Sequence, residues 1–380
     1  MARDVQVKKR PGKVSKKQRD SADARRYAAE YGYTQREWRR INEQDARERR
    51  AVRRLGAVML VLLAAAAVLG YLVWYTIFRS HDYNMMMEYD SASVYALGNA
   101  DLEADLAKGF AEDLCVVDSD QNTDMLALGA LSAGLFDLTD QKVLYAKDIY
   151  SRRSPASLTK IMTALTAIKY GRLDDIVTVT DTALDIEYGS SVCDIRPGDQ
   201  LSLRQLLYGL LIASGNDAAM MIAEHVGGSV DAFVELMNRE AASIGATRTH
   251  FVNPHGLTAE DHYTCLYDLY LMFREAMNSD VFMDIISRKN YYAEYRREDG
   301  TAAAVTWEAT IHYFTGEAAL PDDIIIYGGK TGTTDDAGAC LFVLAKDLYG
   351  NPYIGGIMHA ADKDVLYSEM NGMLSLVFYL

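Results

Sequence analysis

The sequence is poor in the residues that hold metal ions or covalent cross-links. Its 380 residues include only seven histidines and four cysteines. No histidine has a second ligand at helical spacing, and the widely spaced cysteines match neither a zinc motif nor a compact disulfide framework: Cys115, Cys193, Cys265 and Cys340. We therefore expect no metal and no cofactor. The cysteines are either buried thiols or include a pair. Repeats of 20 to 50 residues are also missing, so a solenoid is excluded.

The sequence has enough apolar residues to form a sizeable folded domain. Its two parts carry opposite net charge. Apolar residues make up 49% of the sequence, which is too much for a disordered tail. Residues 1–54 hold 18 basic and 8 acidic side chains, a net +10, while the rest holds 21 and 45, a net −24. The overall net charge of −14 is therefore an average over two different segments.

An uncharged apolar run from Leu55 to Phe78 separates the two parts. As a helix rising about 1.5 Å per residue, its 24 residues would cross a bilayer core of about 30 Å. Core helices are seldom this long or apolar on every face, and no signal-peptide cleavage site follows. We therefore predict an uncleaved transmembrane helix at 55–78, with the leader 1–54 in the cytoplasm and the remainder outside.

The basic leader has a simpler explanation than nucleic-acid binding. Clustered Lys and Arg beside a membrane helix set its topology and face anionic lipid. We therefore expect no nucleic-acid partner. Residues from about 22 to 54 have helix-forming composition and offer a possible partner surface. Nothing in this segment identifies a protein partner.

After a polar stalk at 79–124, the sequence predicts an α+β domain at 125–380. Strand patterns occupy 133–138, 143–146, 324–327, 340–345 and 353–358. Helical patterns occupy 157–170, 203–212, 217–226, 230–244, 266–277 and a final segment from about 364. Because strands open and close the domain, we predict an antiparallel sheet flanked by helices, with an inserted helical lobe.

The first candidate for chemistry is the S-x-x-K motif formed by Ser157 and Lys160. Positions three apart share one face of a helix, so the lysine amine can reach the serine hydroxyl. A serine needs a base to become a nucleophile, and a buried lysine with a lowered pKa can be that base. Such a spacing occurs often by chance, so this motif alone is a weak signal.

Two further motifs strengthen the signal when they are taken with the first. Ser214 and Asn216 form S-x-N after the buried helix, where a capping turn is the simpler explanation of each residue alone. Lys330-Thr331-Gly332-Thr333 follows a strand and suits a carboxylate, with Gly332 allowing close backbone approach. The order S-x-x-K, S-x-N and K-T-G, on helix, loop and strand, indicates one catalytic site.

This set resembles the serine penicillin-binding protein and β-lactamase superfamily, and within it the low-molecular-mass D-alanyl-D-alanine carboxypeptidases. Residues 154–163, 206–219, 251–257 and 330–338 carry the resemblance, which covers roughly 125–378. It implies an anchored enzyme of the bacterial cell membrane that removes the terminal D-alanine of peptidoglycan stem peptides. It also implies that β-lactams inhibit the enzyme covalently.

The resemblance also implies a role for each motif residue. Ser157 would attack the peptide carbonyl with Lys160 as its base, and Ser214 would pass a proton to the departing D-alanine. Asn216 would bind the substrate carbonyl or steady Lys160. The terminal carboxylate would be held by Lys330, Thr331 and Thr333. The backbone N–H groups of Ser157 and Thr333 would form the oxyanion hole.

The sequence departs from the family pattern in three places. No arginine follows Arg297, so Lys363 or His359 would have to replace the arginine that relatives often place near the carboxylate. The segment 280–325, with Trp307 and Tyr313, matches poorly. We also expect no separate β-rich domain after the last helix.

Two other functions remain alternatives. A β-lactamase of the same fold needs a fast base for deacylation, and no acidic residue lies in a matching loop motif. Glu235 lies in the middle of a predicted helix, where an exposed helix face is the simpler explanation. A non-catalytic wall or β-lactam sensor would not require intact motifs. His255 is expected to be structural rather than catalytic.

Overall fold

The computed structural model describes residues 113–380, together with Thr34, Arg36, Arg40 and Arg47. The chain divides into two units, 1–105 and 106–380. The predicted membrane span, nearly all of the predicted leader and the first 34 residues of the predicted stalk, 79–112, lie outside the described residues. Within the described residues, no helix has the length and apolar character needed to cross a bilayer.

Nine strands and eight α-helices follow residue 113. The strands are β1 Ser132–Asp137, β2 Lys142–Lys147, β3 Ile176–Thr178, β4 Gln200–Ser202, β5 Asn290–Arg296, β6 Ala302–Glu308, β7 Ile324–Thr334, β8 Gly338–Asp347 and β9 Pro352–Ala360. The helices are α1 Thr159–Tyr170, α2 Leu203–Leu211, α3 Asn216–Gly227, α4 Val230–Ser243, α5 Leu266–Ala276, α6 Asp280–Ile286, α7 His312–Thr315 and α8 Lys363–Leu374. Short 3₁₀ helices cover Ala156–Leu158, Asp181–Leu184 and Ser375–Phe378.

The main sheet joins the beginning of the domain to its end. Its five antiparallel strands lie in the order β2-β1-β9-β8-β7, so the first hairpin pairs with the last strand. An antiparallel sheet with strands from both ends of the domain was predicted, and this is confirmed, whereas the order of its strands was not predicted. Helices α1 to α7 all lie between β2 and β7 in the chain.

The sheet is buried on both faces, which explains why its central strands are apolar throughout. In β8, Phe342 and Leu344 enter one core with residues of α5, while Leu341 and Val343 enter a second core with residues of α8. Alternate side chains of a strand point to opposite faces, so a strand between two cores needs apolar residues at every position. The sheet therefore lies between the helical region and the last helix.

A second antiparallel sheet, in the order β3-β4-β5-β6, was not predicted. Two of its strands are only three residues long. The other two form a hairpin in which Glu294 pairs with Ala304 and Tyr291 with Trp307. The three alanines that begin β6 are poor strand formers, although Val305, Thr306 and Trp307 follow them, so pairing with β5 is needed to extend the strand over its first half. The poorly matching segment 280–325 contains this hairpin.

Local capping explains where several helices begin and end. Ser202 and Gln205 form a reciprocal capping box at the start of α2. Gly245 has a φ of +85° just after α4, where a glycine stop was predicted.

Residues before position 125 also pack on the domain. Cys115 is fully buried in the core between sheet and helices, and Gln121 forms a β-bridge with Ala146. Packing therefore extends into the C-terminal end of the segment assigned to the stalk.

The four cysteines are free thiols, and each is buried. Of the two alternatives that the sequence left open, the structure has the buried thiols.

Candidate active site

Ser157 lies in the short 3₁₀ helix that leads into α1. It is half-buried, whereas Lys160, one turn later, is fully enclosed. The preceding Ala156 has a φ of +47°, and its carbonyl oxygen packs so closely on Gly256 that a side chain at position 256 would collide with it. The residues before α1 are therefore held in place by the 251–257 turn, which was part of the family resemblance.

The amine of Lys160 has three oxygen neighbours. Its Nζ lies 2.8 Å from Ser157 Oγ, 2.7 Å from Asn216 Oδ1 and 2.7 Å from the backbone carbonyl oxygen of His255. The three contacts come from three separate segments of the chain. S-x-x-K and S-x-N, 56 residues apart, therefore meet at one nitrogen.

The environment of Lys160 favours the neutral amine. Burial, and secondarily the charge of Lys330, hold the pKa of Lys160 well below its usual 10.5. A neutral amine has two N–H groups and one lone pair. Because the Asn216 and His255 oxygens can only accept, they take both N–H groups and leave the lone pair for the Ser157 hydroxyl. The lone pair of the amine then points toward the serine hydroxyl.

A second serine and lysine meet on the strand side of the site. Lys330, 1% exposed on β7, donates from Nζ to Ser214 Oγ at 2.9 Å and to the Thr331 carbonyl oxygen at 2.9 Å. Burial lowers the pKa of Lys330 to about 7. Ser214 is buried in the turn between α2 and α3, with a φ of +59°. S-x-N and K-T-G are therefore also in contact.

Gly332 allows β7 to approach Ser157. A Cβ atom at this position would lie 2.9 Å from the Ser157 backbone nitrogen and 3.2 Å from that of Leu158. The first distance is one that real Cβ atoms essentially never show, so a larger residue would push the strand or the 3₁₀ helix away. Thr333 follows it and is exposed.

Thr310 is a site residue that the sequence did not reveal. Its hydroxyl lies 2.6 Å from the hydroxyl of Thr331, and it follows β6 in the segment that the resemblance matched poorly. No motif surrounds it. Only the pairing of β6 into the second sheet brings it to the K-T-G strand.

The histidine of the 253–257 turn contributes its backbone rather than its ring. The His255 Nδ1 atom accepts a hydrogen bond from the Leu257 N–H at 3.1 Å, while its carbonyl holds Lys160. Burial, and then the nearby Lys160, lower the pKa of His255 to about 3. The ring is therefore neutral at physiological pH. The sequence predicted a structural role for the His255 side chain but not the contact of its backbone carbonyl with Lys160.

Three other predicted positions can be located. Glu235 is exposed on α4, as a solvated helix face requires. Lys363 is exposed at the start of α8, and half-buried His359 ends β9 with a φ of +61°. Which of these two replaces the missing arginine stays a prediction. In the described part of the chain, no group of three His, Cys, Asp or Glu residues is arranged to hold a metal ion.

Comparison with solved structures gives the same fold. The Streptomyces K15 DD-transpeptidase superposes with a TM-score of 0.62 at 28% identity, covering 67% of this chain and 98% of that one. Its S96A mutant gives a TM-score of 0.62 at 27% identity, with coverage of 67% and 99%. The mixed α/β fold with antiparallel sheets is therefore that of the penicillin-binding transpeptidases.

Comparison of sequences gives named relatives. The D-alanyl-D-alanine carboxypeptidase DacF of Bacillus subtilis (strain 168) is 35% identical over 62% of this chain and 59% of its own length. The D-alanyl-D-alanine carboxypeptidase DacA of Escherichia coli (strain K12) is 34% identical over 56% and 52%. This chain thus spans between half and two thirds of the length of these curated relatives.

The sequence profile of one family matches residues 119–361, which is well over half of the chain and contains every motif residue described above. The chain therefore belongs to the D-alanyl-D-alanine carboxypeptidase family, peptidase S11.

Proposed function

We propose that this protein is a serine D-alanyl-D-alanine carboxypeptidase that trims peptidoglycan stem peptides through an acyl-enzyme on Ser157. The observation that carries the proposal is the buried Lys160 amine, held by two carbonyl oxygens with its third direction toward Ser157 Oγ. This arrangement supplies a base for the serine without a histidine. The family membership and the relatives' names support the substrate.

In the acylation step, Ser157 Oγ attacks the carbonyl carbon of the penultimate D-alanine while its proton passes to the Lys160 amine. The oxyanion would receive hydrogen bonds from the backbone N–H groups of Ser157 and Thr333. The approach of Gly332 to the Ser157 nitrogen supports this location. Collapse of the tetrahedral intermediate breaks the C–N bond and leaves an ester on Ser157.

The second pair would handle the leaving group and the terminal carboxylate. The departing nitrogen needs a proton, and Ser214 would relay to it the proton that Lys160 took from Ser157, which leaves Lys160 neutral again. Lys330 Nζ holds the Ser214 hydroxyl by donating a hydrogen bond to it. The same lysine attracts the carboxylate, with Thr331 and Thr333 as hydrogen-bond donors. Binding of an anion stabilises the charged form of Lys330, whose pKa burial lowers to about 7.

Deacylation completes the cycle. Water attacks the ester carbonyl, Lys160 again accepts a proton, and Ser157 leaves with its hydroxyl restored. A β-lactam would acylate Ser157 in the same way, but its amine stays tethered to the acyl group. We therefore expect a long-lived adduct.

The test combines product release with adduct lifetime. The full-length protein should release D-alanine from a peptide ending in D-Ala-D-Ala, and Ser157→Ala should abolish release and penicillin acylation together. Intact-protein mass spectrometry over hours should show one adduct on wild-type protein. Rapid loss of the adduct would instead favour a β-lactamase, and peptide binding without release would favour a sensor.

Transpeptidation is a second candidate because the superposed structures are named DD-transpeptidases. The two outcomes differ only in whether water or an amine attacks the same ester. Adding an amino-acid acceptor to the reaction distinguishes them: a new peptide product would show transpeptidation.

We further propose that Leu55–Phe78 anchors the protein in a bacterial membrane, with the leader 1–54 in the cytoplasm. The support is the uncharged run and the +10 charge before it. Protease treatment of intact spheroplasts should digest the catalytic domain and protect an N-terminal fragment. Protection of the whole chain would contradict this topology.

A further inference from the structure

A chain segment that belongs to none of the catalytic motifs lies against the S-x-N turn. This segment, Ser191–Ile195, is called the wall segment below. The Ser191 carbonyl oxygen accepts a hydrogen bond from the Asn216 N–H at 2.8 Å. The wall segment is therefore bonded directly to the residue that holds the Lys160 amine.

The carboxylate of Asp217 makes the main connection to the wall segment. It accepts the Cys193 N–H at 2.8 Å and 3.0 Å on its two oxygens, and the Ile195 N–H at 3.3 Å. It also accepts the N–H of Ala218 in the first turn of its own helix. One buried carboxylate thus ties α3 to a segment more than twenty residues away in the chain.

Two further contacts hold Cys193. Its carbonyl oxygen accepts a hydrogen bond from Trp307 Nε1 at 3.1 Å. Its Sγ lies where a side chain on Gly209 or Gly215 would have to be, so the thiol is seated between α2 and the start of α3. Because both positions are glycine, the wall segment can lie directly on the helices.

The wall segment also affects the surroundings of the Lys160 amine. Cys193 and Asp217 are close enough to raise the pKa of Lys160, against the lowering by burial and by the Lys330 charge. The neutral His255 contacts the same amine through its carbonyl. Cys193 is 2% exposed and Lys160 is fully buried, so both lie away from solvent.

We propose that Asp217 is a positioning residue: it holds the wall segment on α3 and thereby keeps Asn216 in place and the Lys160 amine dry. This inference rests on the proposed function, because it assigns Asp217 to the site where Ser157 is acylated. A carboxylate that only capped α3 would need the Ala218 bond alone. Asp217 instead accepts further hydrogen bonds from the backbone of the wall segment. The carboxyl group is buried, and burial raises its pKa.

The structure predicts two results for Asp217→Asn. The amide places an N–H where the carboxylate received one, so backbone hydrogen exchange in the wall segment should rise about tenfold or more. Water reaching Lys160 should raise its pKa, which moves the acid limb of the penicillin acylation rate to higher pH. Loss of the Asp217 charge alone would lower this pKa. Burial is its largest determinant and the Asp217 charge its smallest, so the upward shift should win.

The experiment compares the full-length wild type with Asp217→Asn, Trp307→Phe and Asp268→Asn. Exchange is followed by mass spectrometry of peptides covering the wall segment, and acylation by benzylpenicillin is followed from pH 5 to 9. Trp307→Phe keeps an aromatic ring but loses the bond to Cys193, so it tests the wall segment without a charge change. Asp268 is also a buried carboxylate that accepts a backbone N–H, from Arg248.

Faster wall-segment exchange and an upward shift of the acid limb in Asp217→Asn and Trp307→Phe, but not in Asp268→Asn, would support the proposal. Unchanged exchange, a downward shift, or equal effects in Asp268→Asn would overturn it. If Asp217→Asn does not fold, the exchange and the acid limb measured for Trp307→Phe decide whether the proposal holds. A wild type that is never acylated would refute the proposed function, while the exchange measurements would still test the connection.

Discussion

The two serine–lysine pairs of the site look alike and are built differently. On the helix side, Lys160 lies 2.8 Å from Ser157 Oγ, and on the strand side Lys330 lies 2.9 Å from Ser214 Oγ. Both lysines are buried, and burial lowers the pKa of both. The pairs differ in what else surrounds each amine.

Lys160 has two carbonyl oxygens besides its serine, whereas Lys330 has one, from Thr331. A neutral Lys160 therefore spends both N–H groups on carbonyls and offers its lone pair to Ser157. Lys330 is left with capacity to donate to an incoming anion, and its pKa of about 7 lets it carry charge near neutrality. One residue type thus supplies a base on one side and a cation on the other.

Removing the base should give the largest effect. Lys160→Ala should slow acylation of Ser157 by penicillin by about 10²- to 10⁴-fold, because a general base contributes that much to such steps. The rate of adduct formation, measured by mass spectrometry, checks this. Lys169→Ala is the matched control: this lysine lies on the same helix but is half exposed, paired with Glu240. A Lys160→Ala protein acylated at the wild-type rate would refute the assigned base.

Moving strand β7 away from Ser157 should have the second-largest effect. Gly332→Ala puts a Cβ against the Ser157 nitrogen, so β7 or the 3₁₀ helix must move. A misplacement of about 1 Å can cost about 10²-fold in rate, and we expect a loss of that order in kcat/KM. Gly372→Ala, where a Cβ would make only ordinary contacts of 3.4 Å and 3.6 Å with Leu126, should leave kcat/KM unchanged. Equal losses in both variants would show that Gly332 has no special role.

The charge on the strand side should show in the pH dependence. Because kcat/KM reports the free enzyme, it should fall above pH about 7 for the D-Ala-D-Ala peptide, as Lys330 loses its proton. Lys330→Met should lose this alkaline limb and raise KM. Its acid limb should move to higher pH, since the Lys330 charge helps to lower the pKa of Lys160. An alkaline limb that persists in Lys330→Met would assign it to another group.

The sequence predicted the motif residues on both sides of the site, but by different routes. S-x-x-K could be placed because Ser157 and Lys160 are only three residues apart, where the short 3₁₀ helix continues into α1. The predicted order of motifs also brought Asn216 and Lys330 to the same site, since the resemblance supplied the fold. The residues of the three motifs can therefore be recognised from short sequence patterns alone.

Thr310, the His255 carbonyl and the Asp217 connection could not be predicted. Thr310 reaches Thr331 through the pairing of β6, and the three alanines that begin this strand leave only a short strand pattern at its end. A backbone carbonyl has no residue type to recognise, and the bonds of Asp217 depend on how a loop returns to α3. These features follow from long-range packing, which short sequence patterns do not encode.

The smallest effect should appear in stability. In the folded state the pKa of Lys330 is about 7, against an ordinary 10.5 when unfolded, so between these values the native state binds fewer protons. The stability of the wild type should therefore rise with pH from about 7 upward and lose this contribution as pH falls to 7. Lys330→Met has no such dependence, so its advantage in Tm should shrink between pH 7 and 9 in calorimetry of the full-length protein. A gap that is constant with pH would mean that Lys330 stays protonated throughout, and the distinction between the two lysines would then have to rest on hydrogen bonding alone.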